Sequence, residues 1–200
     1  MTAEPIREMS PSGPARGVGA LDRVAERLAA EADVELGVAD SPSDLIAAHR
    51  LRYRDASAHG RATAEGDRDG LERDAFDVRA LQVCAWDRDT LVGTLRVVLP
   101  MPGKRLPVEE AFDLTVEPAG EVVDVGAPVV APGLGAERAK QVTDGLLAQA
   151  WFETRARGYV VMSGVVSSRL AERYRTLGLD VEILGRLGDR TALRIDPSIG

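Results

Sequence analysis

Glu121-Val-Val-Asp124-Val-Gly126-Ala-Pro128-Val-Val130 is the stretch that decides the fold. It reads as a strand, because β-branched valines favour a pleated, buried surface. A carboxylate stands in its middle. Glycine and proline follow within four residues, and neither belongs in the interior of a central strand. The strand is expected to splay at Gly126-Ala-Pro128 and to open backbone donors there. Next, Ala136 to Arg157 is the strongest helical pattern in the chain, and Gly158 stops it. Tyr159 to Val166 is a further buried strand. Ser167 or Ser168 caps another helix, which ends near Gly178. Val181 to Leu187 and Thr191 to Ile195 close the chain as a hairpin across Gly188-Asp189.

Upstream, Val78 to Trp86 and Leu91 to Leu99 are strands joined through Asp87-Arg-Asp-Thr90. Pro100 to Pro107 is a loop, and Val108 to Phe112 is at most a short helix. Ser41-Pro42 starts a helix expected to run from Pro42 to Ala56. Residues 57–73 form a long Gly-, Asp- and Arg-rich loop, a feature often tied to function. Val34 to Val38 alternates as a strand would. Leu21, Val24, Leu28 and Ala29 share one face of a first helix, which packs on the domain or mediates a homodimer. Residues 1–18, with three prolines, read as a disordered tail, leaving 19–200 as one domain. The Gly17-Val-Gly19 pair follows no strand and is no dinucleotide fingerprint. The fold class is α/β with a mixed sheet.

Bulk properties narrow the function. The 200 residues are 44% hydrophobic and 28% charged, with a net charge of -7. That is the balance of a soluble globular domain, and no basic face for nucleic acid is demanded. One cysteine, Cys84, permits no intrachain disulfide and reads as a core thiol. One Cys and two His make no zinc pattern, so no metal is expected. No apolar run reaches the roughly 20 residues needed to span a bilayer, and Met1 to Gly17 holds no signal-peptide core. The expected location is cytoplasmic, with no membrane partner.

The motifs carry a resemblance. Arg138 and Leu146-Leu147 in the long helix, and Ser167-Ser-Arg-Leu-Ala-Glu-Arg-Tyr174-Arg-Thr-Leu-Gly178 beyond it, resemble the corresponding segments of GNAT acyltransferases. The implied fold is a GNAT-like, mostly antiparallel twisted sheet flanked by helices. Glu72-Arg-Asp74-Ala-Phe76-Asp77, then Gly93-Thr-Leu-Arg96-Val-Val-Leu-Pro100, then Pro107 to Phe112 are similar in order and spacing to acyl-homoserine-lactone synthases. This resemblance covers roughly residues 45–187.

It implies an N-acyltransferase that moves an acyl group from acyl-CoA or an acyl-carrier protein to a small amine. The cosubstrate is then a CoA or phosphopantetheine thioester. Asp124, where the synthases place Glu, is the implied base, and Tyr174 the acid for the departing thiolate. Asp74, Asp77, Arg96, Phe112 and Gly126 are implied on the acceptor side. Val129, Val130, Arg138 and Ser167 are implied on the donor side, with phosphate at the helix start. Blander readings stand beside these: Asp124 pairing with Arg96, Tyr174 as core, Arg138 as a solvated helix residue, and Asp74, Asp77 and Arg96 as a purely structural ion-pair network.

Two departures matter. Gln141 and Thr143 occupy the family's glycine positions. Ala127 stands where the synthases carry Arg, which turns the reading away from homoserine lactone and toward another acylated amine. They also keep open a noncatalytic domain that binds an acyl thioester or a protein, and a GNAT-like decarboxylase or S-acyltransferase. A carrier-protein partner, being acidic, would need basic residues such as Lys104-Arg105, Arg138, Lys140, Arg155 and Arg157.

Overall fold

The computed structural model describes residues 17–62 and 66–197. Most of the tail expected over 1–18, and part of the loop expected over 57–73, lie outside the described residues. The elements in chain order are α1 (Val18–Glu31), β1 (Glu35–Val38), α2 (Pro42–Ala58), the single turn α3 (Gly66–Asp69), β2 (Ala80–Asp87) and β3 (Thr90–Val98). Then come α4 (Pro107–Phe112), β4 (Val122–Val125), β5 (Val129–Val130), α5 (Ala136–Ala156), β6 (Val161–Ser167), α6 (Ser168–Thr176), β7 (Val181–Leu187) and β8 (Arg190–Ile195).

Eight strands form one sheet in the order β1-β2-β3-β4-β6-β8-β7, with β5 beside β3. Only β4 and β6 are parallel neighbours, and a long helix, α5, lies between them in sequence, as parallel pairing requires. All other pairings are antiparallel. The mixed, mostly antiparallel sheet is the architecture the sequence implied.

Strand alternation sorts side chains to two faces. Val123 and Val125 of β4 join Val97 of β3 and Val142 and Leu146 of α5 in one core. α5 sits so close to β3 that a Cβ on Gly93 would lie 2.6 Å from Val142 and 2.9 Å from Leu146. α1 packs on α5 through Leu21, Ala25 and Leu28 against Ala148 and Trp151; the face that was read as either packing or dimer-forming is used within the chain. On the opposite face Val98 and Val122 pack with Leu106, which precedes α4, and with Val108 within it. Each fully buried aliphatic side chain in these layers contributes about 2 kcal/mol.

Local chemistry explains where the boundaries moved. Ser41 caps α2, its hydroxyl accepting the Asp44 N–H at 3.1 Å. α2 runs two residues past the expected Ala56 because Gly60, at φ 64°, is the left-handed residue that follows its end. β2 begins at Ala80 rather than Val78. Asp77–Arg79 form a 3-10 turn instead, in which the Asp77 carboxylate accepts the Asp74 N–H at 2.8 Å.

Candidate active site

Asp124 lies at the centre of the sheet, opposite Val98 on β3 and Ser163 on β6. Only 3% of it is exposed. Its carboxylate accepts the Val108 N–H at the start of α4, at 3.0 Å. Burial pushes its pKa up to about 7; the Val108 hydrogen bond and Arg96 pull it down, Glu109 adds to the rise, and Arg79 opposes it. A carboxyl that is half-ionised near neutrality can both take and return a proton at working pH.

Just past Asp124 the strand bulges. β3 pairs Val97 with Val125 and Val98 with Asp124, then Thr94 with Val129 and Gly93 with Val130. Between the two blocks the register slips by one residue, the mark of a bulge. Gly126 donates its N–H to the Arg96 carbonyl at 2.9 Å. The splay expected at Gly126-Ala-Pro128 is therefore present.

On the other side β4 leaves β6 at the same level. Their pairing runs from Val122↔Val161 to Asp124↔Ser163 and stops. There a Cβ on Gly164 would sit 2.3 Å from the Val125 carbonyl oxygen, so only glycine allows the strands to meet before they part.

The splay opens on the Asp124 face into a cleft of about 710 Å³. Gly126, Ala127, Pro128 and Val129 form one wall, and Arg52, Asp55, Ala56 and His59 of α2 another. Gln82, Thr94 and Asp124 are buried polar residues on one face of the sheet. Such groups are retained inside a protein only when paired or used.

The expected Asp74–Asp77–Arg96 cluster is formed. Arg96 donates to Asp74 at 2.7 Å and to Asp77 at 3.3 Å. Sequence reasoning missed its other members. Arg52 donates to Asp77 at 2.7 Å, and Gln82 donates to the same oxygen at 2.9 Å. Burial alone would raise Asp77, but Arg52, Arg96 and the Asp74 N–H outweigh it and hold the carboxyl below its ordinary range. Burial lowers His49, whose Nδ1 lies 3.0 Å from the Glu72 carbonyl oxygen. Residues 49, 52, 56 and 59 recur at three- and four-residue spacing and form one helical stripe, but nothing local in the sequence says what that stripe docks on. Arg190, from β8, also lines the cleft, its guanidinium 5.8 Å from the Phe112 ring centre. No motif pointed to it.

The other expected site residues are distributed more widely. Phe112 packs in the α4 core and is not in the cleft wall. Val130 packs against the core under α5. Ser167 caps α6, accepting the Leu170 N–H at 3.2 Å. Arg138 is held by the Asp33 carbonyl oxygen at 2.8 Å and the Asp33 and Asp87 carboxylates at 3.2 and 3.5 Å. The start of α5 nevertheless suits an anion, because Gly135 caps it without a side chain and its first N–H groups lack a side-chain acceptor.

Tyr174 is not in the Asp124 cleft. It lines a separate apolar cavity on the α5 face, together with Val125 and Ser163 from the point of splay. Its hydroxyl has no hydrogen-bond partner among the described residues, and burial raises its pKa, so it stays protonated. Cys84 is buried, with its thiol pushed up to about 11, as a core residue would be.

A central strand that bulges beside a buried carboxylate, parts from its parallel neighbour and leads into a long helix defines the GNAT class of acyltransferase. Comparison with known proteins agrees. A family model described as an acetyltransferase (GNAT) domain matches residues 51–143. The structure of MesI, a CoA-dependent acyl-homoserine lactone synthase, is 30% identical, covers 76% of this chain and 80% of its own, and superposes with a TM-score of 0.59. The chain belongs to the GNAT acyltransferase superfamily, alongside the acyl-homoserine-lactone synthases. The synthase LasI, at 17% identity over 82% of this chain and 89% of its own, shares the fold with a TM-score of 0.59. So does FeeM, an N-acyl amino acid synthase from uncultured soil microbes, at 14% identity, 81% and 88% coverage and a TM-score of 0.58. No curated protein sequence matches the chain significantly. Among the described residues no group of side chains suits a metal ion, and no helix is long and apolar enough to cross a membrane.

Proposed function

We propose that the protein transfers an acyl group from a pantetheine thioester, carried by CoA or by an acyl-carrier protein, to the amine of a small molecule held in the Asp124 cleft. The observation that carries this reading is a buried carboxyl, titrating near 7, at the mouth of a splayed and bulged strand. The amine nitrogen attacks the thioester carbonyl carbon and passes its proton to Asp124, directly or through one water. The Ala127 N–H, the donor at the bulge that is not given to β3, polarises the carbonyl oxygen. The C–S bond then breaks, and Tyr174, neutral and on the far side of the same splay, gives its proton to the thiolate; Tyr174 takes a proton back from solvent as the thiol leaves, and Asp124 releases to solvent the proton it took from the amine, so one proton has passed from nitrogen to sulfur. The Asp74–Asp77–Arg96–Arg52 cluster holds the loop before β2 against α2 and shapes the acceptor wall.

MesI is a CoA-dependent acyl-homoserine lactone synthase. For this chain Ala127, in the cleft wall, offers no guanidinium at the position where the synthases carry one. An acylated amine other than homoserine lactone is the better assignment. The test is release of free thiol from acyl-CoA and from loaded carrier protein over a panel of amines. Asp124→Asn should lower amine-dependent release by about 10²- to 10⁴-fold. Unchanged turnover in that variant removes the base assignment.

A second reading, thioester binding without transfer, draws on Gln141 and Thr143 at the glycine positions and on Arg138 being tied to Asp33 and Asp87. Calorimetric binding of acyl-CoA with no thiol release against any amine would favour it.

A further inference from the structure

α4 spans only Pro107–Phe112, too short to be stable by its own hydrogen bonds. Its cap position, Leu106, has no side-chain oxygen for the first free N–H groups. Two carboxylates take that place. Asp124, from β4, accepts the Val108 N–H at 3.0 Å. Glu109, on the same turn, accepts the Leu106 N–H at 2.7 Å with one oxygen and the Val116 N–H at 2.9 Å with the other. Glu109 thus ties the residue before α4 to the loop after it. Pro107 and Ala111 of this helix line the cleft with Asp124, so the tie also fixes that wall.

The carboxylate of Glu109 meets only backbone N–H groups, and no Lys or Arg lies within ion-pair distance of it among the described residues. The other charges around Asp124 already have partners. Arg96 of β3 is shared by Asp74 and Asp77, and Arg52 of α2 also pairs with Asp77. Asp55 of α2 pairs with Arg61 and lies 3.4 Å from His59. Arg79 donates to the Leu99 and Arg105 carbonyl oxygens. Glu72 and, from β8, Arg190 stand in the cleft wall with opposite signs. Glu109 is therefore the carboxylate without a cation on the helix that Asp124 caps.

We propose that Glu109 is a positioning residue for the transfer. It holds the first turn of α4 so that the Val108 N–H fixes one oxygen of Asp124 and leaves the other to the amine, and its permanent negative charge keeps Asp124 a willing proton acceptor. The inference rests on the acyltransferase reading. A carboxylate that stays ionised opposes ionisation of a more deeply buried neighbour. Glu109 accordingly adds to the rise in Asp124, and a base that holds its proton more firmly draws it from the amine more effectively.

The experiment titrates the Asp124 carboxyl by NMR of isotopically labelled aspartate in the substrate-free protein, the signal being assigned by its loss in Asp124→Asn. Alongside it, the pH profile of kcat/KM for amine-dependent thiol release is measured. Glu109→Gln keeps an oxygen for one of the two N–H groups and removes the charge. The Asp124 midpoint should fall by about half a pH unit in both measurements, so that at about pH 6 the ionised share rises about threefold. Glu109→Asp keeps the charge on a shorter arm and should return the midpoint to its wild-type place. Glu110→Gln makes the same charge change on the next, exposed residue and should leave the midpoint where it was. A role confined to holding α4 would lower the melting temperature of Glu109→Gln without moving the midpoint. That result, or an equal fall in Glu110→Gln, overturns the proposal and leaves acyl transfer standing. A midpoint that falls by NMR but not in the pH profile overturns it too. If wild type releases no thiol with any amine, the acyltransferase reading fails, and the part of Glu109 in transfer fails with it.

Discussion

Replacing Asp124 by Asn should make the protein more stable at high pH while removing its chemistry. An ordinary carboxyl titrates at 3.8, and Asp124 at about 7 in the fold. The folded state therefore binds the proton more tightly than the unfolded chain does. At about 1.4 kcal/mol per pH unit, ionised Asp124 costs the fold about 4 kcal/mol, an upper figure because water in the cleft relieves part of it. The sign follows from the direction of the shift. The cost is absent below pH 3.8, grows as pH rises toward 7, and is complete above it. Asparagine never ionises, and its amide oxygen can still accept the Val108 N–H. Urea unfolding of both proteins at pH 4.5, 6 and 8 isolates the effect, since groups not coupled to Asp124 cancel in the difference. The variant should gain on wild type by several kcal/mol between the lowest and highest pH. Over the same series its acyl transfer should be lower by about 10²- to 10⁴-fold. A stability difference that does not change with pH would refute the buried, neutral-leaning carboxyl and the base argument built on it.

Three other substitutions probe the surroundings. Asp77→Ala leaves Arg52 and Arg96 without their shared, mostly buried partner, and should cost about 3–5 kcal/mol in denaturant unfolding. Gly164→Ala puts a carbon against the Val125 carbonyl. It should lower stability by about 1–3 kcal/mol and reduce transfer with it, because the two strands must separate earlier. Tyr174→Phe removes a hydroxyl with no partner among the described residues, so the melting temperature should hardly move. Amine-dependent thiol release should fall, and full activity would take Tyr174 out of the mechanism.

Much of this was legible in residue order. Valine runs, the Gly126-Ala-Pro128 break and the Gly158 and Gly178 stops gave the strands and helices of the second half, because each rests on a local backbone rule. The Asp74–Asp77–Arg96 cluster was legible because its members lie in one motif series. Arg52 was not, since its role depends on α2 docking over β2 and β3, a long-range event. Arg190 reaches the cleft only because β8 is inserted between β6 and β7. The separation of Tyr174 from Asp124 was also invisible, because motif order does not say on which face of a sheet a side chain will lie. The Asp33 and Asp87 partners of Arg138 were invisible for a similar reason, being distant in sequence.

The central claim is amine-dependent cleavage of an acyl thioester at Asp124. Its most direct measurement is mass spectrometry of a reaction holding acyl-CoA or acyl-carrier protein of several chain lengths, a panel of small amines, and either wild type or Asp124→Asn. The account predicts an N-acylated amine and one equivalent of free thiol with wild type, rising with pH through about 7, and at least about 100-fold less of both with the variant. Equal product from both proteins, or thiol release without any acylated amine, would contradict it.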